Sequence, residues 1–129
     1  MTAPSAAHDV IARHIVDAAY TVHTTLGPGL LESVYEQCLG HELRLRDLHV
    51  EHQLHLPVTY RGILIDGGFR IDLMVNRLIV VEIKAAERIM PIHEAQLLTY
   101  LKLSQKRIGL LINFNSVRIK DGIRRLING

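Results

Sequence analysis

The sequence predicts an α/β fold, a mixed sheet of four or five strands with helices on both sides. Three observations lead there. Apolar residues recur at three- and four-residue steps until about residue 47, then alternate with polar ones from His49 onward. A strand-like run (Leu78 to Lys84), a helix-like run opened by Pro91 and a second strand-like run (Arg107 to Asn113) follow in that order. That order calls for a crossover and a parallel pair. A chain of 129 residues suits one core.

Residues 1–8 read as a flexible tail and 9–129 as one domain. Val10, Ile11, His14, Ile15, Ala18 and Val22 define the first helix, with Asp9 as a candidate cap and Gly27-Pro28-Gly29 as the stop. A second helix is expected from about Leu30 to Asp47. Leu31, Val34, Cys38 and Leu45 lie near one face, and Glu32, Tyr35, Glu36, Leu39 and Leu43 form a neighbouring stripe. Gly40 weakens that helix only modestly. Val50, Leu54, Leu56, Val58 and Tyr60 then alternate with polar residues as a long strand, in which Pro57 signals a bulge or an edge. Arg61-Gly62 is a turn. Ile63 to Ile65 forms a short strand ended by Asp66-Gly67-Gly68, and Phe69 to Val75 forms the next. The helix from Pro91 runs to about Ser104. A hairpin or short terminal strand is expected within Val117 to Ile127.

The turn between Val75 and Leu78 decides what the sheet can do. A two-residue turn pairs Val75 with Leu78 and puts Asp72 and Glu82 on opposite faces. A three-residue loop or a bulge puts them on one face. It also aligns Ile71, Leu73 and Val75 with Ile79, Val81 and Ile83. The second arrangement serves core and polar cluster together, and is the expected one.

Composition constrains function loosely. The 15 basic and 13 acidic residues leave a net charge of +2, compatible with a polyanionic partner without requiring one. Eleven of the positive charges are arginine, whose fork suits phosphate, although solvated surface charge explains the same count. Cys38 is the only cysteine, so neither an internal disulfide nor a thiolate zinc cluster can form. Its setting in a helix suggests a buried small apolar residue. There is no signal-peptide pattern and no apolar run of membrane-spanning length, so a cytoplasmic protein is expected. His49, His52 and His55 alternate faces on a strand and do not converge as zinc ligands. Gly27-Pro28-Gly29 lacks the lysine and spacing of a phosphate loop.

The cluster that carries chemistry is Asp72, Glu82 and Lys84. On a strand Glu82 and Lys84 share a face. Two carboxylates and an ammonium beside an apolar core are unfavourable unless they pair or hold a cation. A hard divalent metal gripping phosphate, with the lysine near an attacking water, satisfies them. The plain alternative is a surface salt-bridge cluster. In the following helix His93, Gln96 and Tyr100 lie near one stripe, either solvated or turned toward the cluster. Glu32 sits in the first turn of its helix, where an acid also favours the helix dipole. Arg70, Arg77 and Arg88 are near in sequence and are candidates for phosphate contacts.

These residues resemble a known family. Gly29, Glu32 and Tyr35 spell the signature of the small bacterial GxxExxY proteins. The likeness runs through Leu26 to Glu36, Asp72, Val81 to Ala85, His93 to Leu101, Gly109 to Phe114 and Lys120 to Ile123. That family resembles a branch of the PD-(D/E)XK nuclease superfamily. The resemblance implies a restriction-endonuclease-like core and a Mg2+-dependent phosphodiesterase site, with Mn2+ as a substitute. Asp72, Glu82 and the Ile83 carbonyl would be metal ligands. Lys84 would be catalytic, joined by Gln96 and by Glu32 as the acid of an early helix. Ile71 stands where the family pattern has proline. The substrate implied is nucleic acid, DNA ahead of RNA, and a homodimer is compatible with cutting both strands. The alternative is an inactive nucleic-acid or protein-binding module on the same scaffold.

Overall fold

The computed structural model describes residues 5–129. Helix α1 (Ala6–Leu26) starts ahead of the expected Asp9 boundary, because Ser5 rather than Asp9 is its cap. Ser5 Oγ accepts from the His8 amide at 3.4 Å, and His8 Nδ1 accepts from the Ser5 amide at 3.0 Å. Ala6, Ala7 and His8 therefore belong to the helix. The rest of the expected tail, residues 1–4, lies outside the described residues. Helix α2 (Glu32–Leu45) follows the Gly27-Pro28-Gly29 stop.

Strand β1 (Val50–Tyr60) pairs antiparallel with β2 (Ile63–Val75). The two short strands expected within residues 63–75 are one. Asp66, Gly67 and Gly68 do not end it; they bulge out opposite Pro57, between the Leu56–Phe69 and Val58–Ile65 pairs. Gly67 takes φ +61°, in the left-handed region that favours glycine. Pro57 sits on an edge strand beside a bulge, where its missing donor costs least.

Strand β3 (Ile79–Lys84) returns antiparallel to β2 through a three-residue loop, with Val75 opposite Ile79 and Leu73 opposite Val81. Asn76 and Arg77 both adopt φ +52° to close it. Helix α3 (Pro91–Ser104) then crosses over to β4 (Ile108–Asn113), which runs parallel to β3. A 3-10 turn (Ile119–Gly122) leads into β5 (Ile123–Ile127), antiparallel to β4. The sheet order is β1-β2-β3-β4-β5.

Two apolar layers cover the two faces. Ile15, Ala18 and Val22 of α1 and Tyr35, Leu39 and Leu43 of α2 pack on Leu73, Val75, Val81, Ile83, Leu110 and Ile112. Leu97 and Leu101 of α3 pack on Met74, Val80 and Leu111. The alternation of β2 does not stay with one layer. Leu73 and Val75 belong to the α1/α2 core, whereas Phe69 and Ile71, in the same register, belong to the α3 core. Val50 and Leu54 of β1 divide the same way. The long hairpin therefore bends over α3 at the level of Gln53 and Asp72. Gln53 marks the bend with φ +49°. The expected single face of Phe69, Ile71, Leu73 and Val75 is thus split between two cores. The turn that aligns Asp72 with Glu82 nevertheless forms as expected.

Candidate active site

Beyond Val80, the α3-facing alternation of β3 continues as Glu82 and Lys84. On β2 it continues from Met74 to Asp72. The apolar layer under α3 therefore gives way to charge near the carboxyl end of β3. Crevices at such strand ends are where open α/β sheets commonly bind ligands.

The two acids are interlocked. Glu82 Oε2 accepts from the Asp72 amide at 2.8 Å, and Asp72 Oδ2 accepts from the Ile83 amide at 2.9 Å. Each carboxylate thus takes a donor from the other's strand, beyond the last paired residues Leu73 and Val81. An extended residue sends its N–H and C=O to the same side of the strand. The Ile83 carbonyl accordingly lies on the β2 side of β3, as its amide does, while the neighbouring Lys84 carbonyl accepts from the Phe114 amide at 2.9 Å on the other side.

Glu82 is 4% exposed. Burial, followed by the Asp72 charge, pushes its carboxyl up to about 8; the Asp72 amide and Lys84 offset only part of this. Two acids held this close lack sufficient counter-charge, which is the electrostatic condition a cation relieves. Both offer hard oxygen donors, suited to Mg2+ or Mn2+. Among the described residues, no group of three or more His, Cys, Asp or Glu side chains forms a metal cage. Two carboxylates and a carbonyl fit a magnesium-type ion, which commonly retains waters and shares substrate phosphate.

The cleft above the acids has a volume of about 340 Å³ and is lined by Glu32, His55, Gly67, Phe69, Arg70, Asp72, Glu82, Lys84, Gln96 and Tyr100. Asp72, Glu82, Lys84, Gln96 and Glu32 therefore converge from β2, β3, α3 and α2. Gln96 and Tyr100 lie one helical turn apart. Tyr100 packs against Phe69 with centroids 5.1 Å apart and the rings tilted by 38°. Burial and the charges of Glu82 and Asp72 hold its phenol above the ordinary value, so it enters the cleft as a hydrogen-bond donor.

Other candidates lie elsewhere. His93 caps α3, its Nδ1 accepting from the Met90 amide at 3.0 Å. Arg77 lies at the far end of the hairpin, 3.9 Å from Glu51, and Arg88 donates to Met90 Sδ at 3.3 Å. Of the three candidate arginines, Arg70 alone lines the cleft. Half-buried Cys38 packs against the α1/α2 core.

The Gly-x-x-Glu-x-x-Tyr segment acts as a clip. Glu32 Oε1 accepts from the Ala85 amide at 3.2 Å, tying α2 to the residue after Lys84. Buried Tyr35 stacks on Phe114 at 4.7 Å, donates to the Gly27 carbonyl at 2.6 Å and accepts from the Leu30 amide at 3.0 Å. Tyr35 thus fixes the loop ahead of α2 and does not enter the cleft. Tyr35→Phe should cost on the order of 1–2 kcal/mol by stranding two backbone groups, a fall of roughly 5 °C in thermal unfolding with the cleft residues left in place. From the opposite side, Asn113 at the end of β4 accepts from the Ala86 amide at 3.0 Å and donates to its carbonyl at 2.9 Å.

Sequence alone gives no site role to Asn113 or Gln53, and it considers His55 only as a zinc ligand. By sequence Gln53 is one of the polar residues that alternate along the first long strand. Its amide donates to Asp72 Oδ1 at 3.3 Å and also to Glu36 Oε1.

The PD-(D/E)XK nuclease superfamily model matches residues 9–126, nearly the whole chain. The chain belongs to the PD-(D/E)XK nuclease superfamily. No curated protein and no solved structure matches it. The narrower GxxExxY likeness rests on Gly29, Glu32 and Tyr35 themselves. The five-stranded mixed sheet with helices on both faces agrees with the superfamily's restriction-endonuclease-like core. A nuclease assignment implies a nucleic-acid substrate, and superfamily members generally use divalent metals. No helix among the described residues is long and apolar enough to cross a membrane.

Proposed function

We propose that the cleft hydrolyses a phosphodiester bond of nucleic acid, DNA in preference to RNA, with Mg2+ held by Asp72, Glu82 and the Ile83 carbonyl. The observation that carries this reading is the interlocked pair of Asp72 and Glu82 beside Lys84 in a polar cleft. A bound divalent ion would polarise the phosphate and lower the pKa of the attacking water.

The chain's own residues do the rest. Lys84 brings an ammonium to the rim of the acid pair, where it offsets charge developing on phosphoryl oxygens. Gln96 and Tyr100 donate hydrogen bonds that orient the water or a phosphate oxygen. Arg70 and His55 stand exposed at the mouth, on the side from which a strand would approach. Glu32, bound to the Ala85 amide, holds the end of β3 so that Lys84 keeps its place. The water oxygen bonds to phosphorus, the bridging P–O bond breaks, and the leaving oxygen takes a proton.

The test uses purified protein with Mg2+ or Mn2+ on single-stranded, duplex and branched DNA and on RNA. Cleavage is expected on DNA, and Lys84→Ala should lower kcat by about 10²- to 10³-fold, the scale of losing one preorganised charge-stabilising donor. Lys84→Ala cleaving at the wild-type rate would remove Lys84 from the chemistry. Nucleic-acid binding without cleavage in either metal would make the protein a binding module.

A further inference from the structure

Gln53, which donates to Asp72, has its backbone in the left-handed region, at φ +49°. For a residue with a Cβ that conformation is unfavourable, and it persists only where the surroundings over-determine it. Here the surroundings are two carboxylates. The Gln53 side-chain nitrogen donates to Glu36 Oε1 on α2 and, at 3.3 Å, to Asp72 Oδ1 on β2. Register also places Gln53 across from Asp72, between the His52–Leu73 and Leu54–Ile71 pairs.

Glu36 is itself anchored. Its other oxygen, Oε2, lies 3.1 Å from His52 Nδ1, and its side chain is only 13% exposed. The His52 ring lies against α2 where Gly40 leaves room; a Cβ there would collide with the imidazole. Glu36 does not line the cleft, and its hydrogen-bonded link to Asp72 runs through Gln53. An amide suits this bridge, since its NH₂ supplies a hydrogen to each of two acids that would otherwise repel. Gln53 Oε1 is buried without a protein partner. Its side chain thus sacrifices an acceptor in order to aim both donors.

We infer that Gln53, clamped by Glu36, is a positioning residue that fixes the Asp72 carboxylate for a divalent cation. Asp72 Oδ1 takes Gln53, and Oδ2 takes the Ile83 amide. Two donors on two oxygens set the plane of the carboxylate and leave its remaining lone pairs for a cation. Groups that orient a metal ligand in this way commonly alter metal affinity by about 10- to 100-fold when removed. The inference rests on the cleft being a cation site, and its test separates the two.

Mn2+ binding would be measured by titration calorimetry on the full chain, without nucleic acid, for wild type, Asp72→Asn, Gln53→Met and Gln53→Gly. The Ile83 amide resonance would be followed in the metal-free proteins. Methionine keeps the length of the side chain and removes the donor. Glycine removes the bridge and also relieves the left-handed backbone, so the fold should survive. Both Gln53 variants are expected to bind Mn2+ at least about tenfold more weakly than wild type and to shift the Ile83 resonance. Wild-type affinity and an unmoved Ile83 amide in Gln53→Gly or Gln53→Met would overturn the positioning role while leaving the cation site standing. Equal binding by wild type and Asp72→Asn, or none by wild type, would overturn the cation site and the inference with it.

Discussion

Asp72→Asn is expected to yield a folded protein that does not cleave. The amide keeps an oxygen to accept from the Ile83 amide, so the link from β2 to β3 can survive. What is lost is the second negative charge of the pair, and with it the Oδ1 that accepts from Gln53. Without it the site cannot hold a divalent cation and a phosphate together. Turnover should fall by at least about 10³-fold, equivalent to about 4 kcal/mol of barrier. Folding should respond far less. Asp72 is the second-largest cause of the raised Glu82 carboxyl, after burial, so removing its charge relieves repulsion in the metal-free protein. That relief opposes the loss of the Gln53 contact, so the unfolding temperature in chelator should stay within a few degrees of wild type. Full activity in Asp72→Asn would refute the assignment of the acid pair as the catalytic centre.

The second large effect is a dependence of stability on pH that reverses the common carboxylate pattern. Glu82 titrates at about 8 in the fold, against an ordinary value of 4.5. Between those values the folded protein holds a proton that the unfolded chain has released. The contribution of Glu82 is therefore complete below about pH 4.5 and is lost as pH rises through about 8. The loss across that window should be on the order of a few kcal/mol in the metal-free protein. Glu82→Gln should flatten this part of the profile, since its amide does not titrate. On the proposed reading Mn2+ would compete with the same proton, so the stabilisation it confers should increase with pH over this window. Thermal unfolding in chelator from pH 5 to 8.5, for wild type and Glu82→Gln, measures the effect. Identical slopes for the two proteins would show that Glu82 keeps an ordinary carboxyl.

Much of this site can be read from short stretches of chain. Leu73 and Val75 share a buried face with Ile79, Val81 and Ile83 when three residues close the hairpin, and that loop brings Asp72 beside Glu82. Glu82 and Lys84 share a face by the two-residue period of a strand, and Gln96 and Tyr100 share one by the helical turn. Pro91 marked the start of α3, and the strand–helix–strand order implied the parallel pairing of β3 with β4. Other features were hidden. Asp66-Gly67-Gly68 looked like the end of a strand because glycine serves both a turn and a bulge; only pairing with β1 on both sides keeps β2 continuous. Arg77 and Arg88 lie near the acids in sequence, yet the hairpin and the loop before α3 carry them away from the cleft.

Local periodicity thus specified the acids, the lysine and the layers that hold them, because burying alternate side chains leaves one economical register. The three-dimensional fold settled how Asp72 is aimed. Glu36 and Gln53 are 17 residues apart, and no periodic pattern links a helix stripe to a polar position on an edge strand. Their meeting depends on how α2 lies against β1, and on a left-handed backbone at Gln53 that the bend over α3 accommodates. The sign of φ at one residue leaves no trace in hydrophobic patterning; it is set by the sum of contacts from several elements, which exist only once the sheet and its helices have closed together.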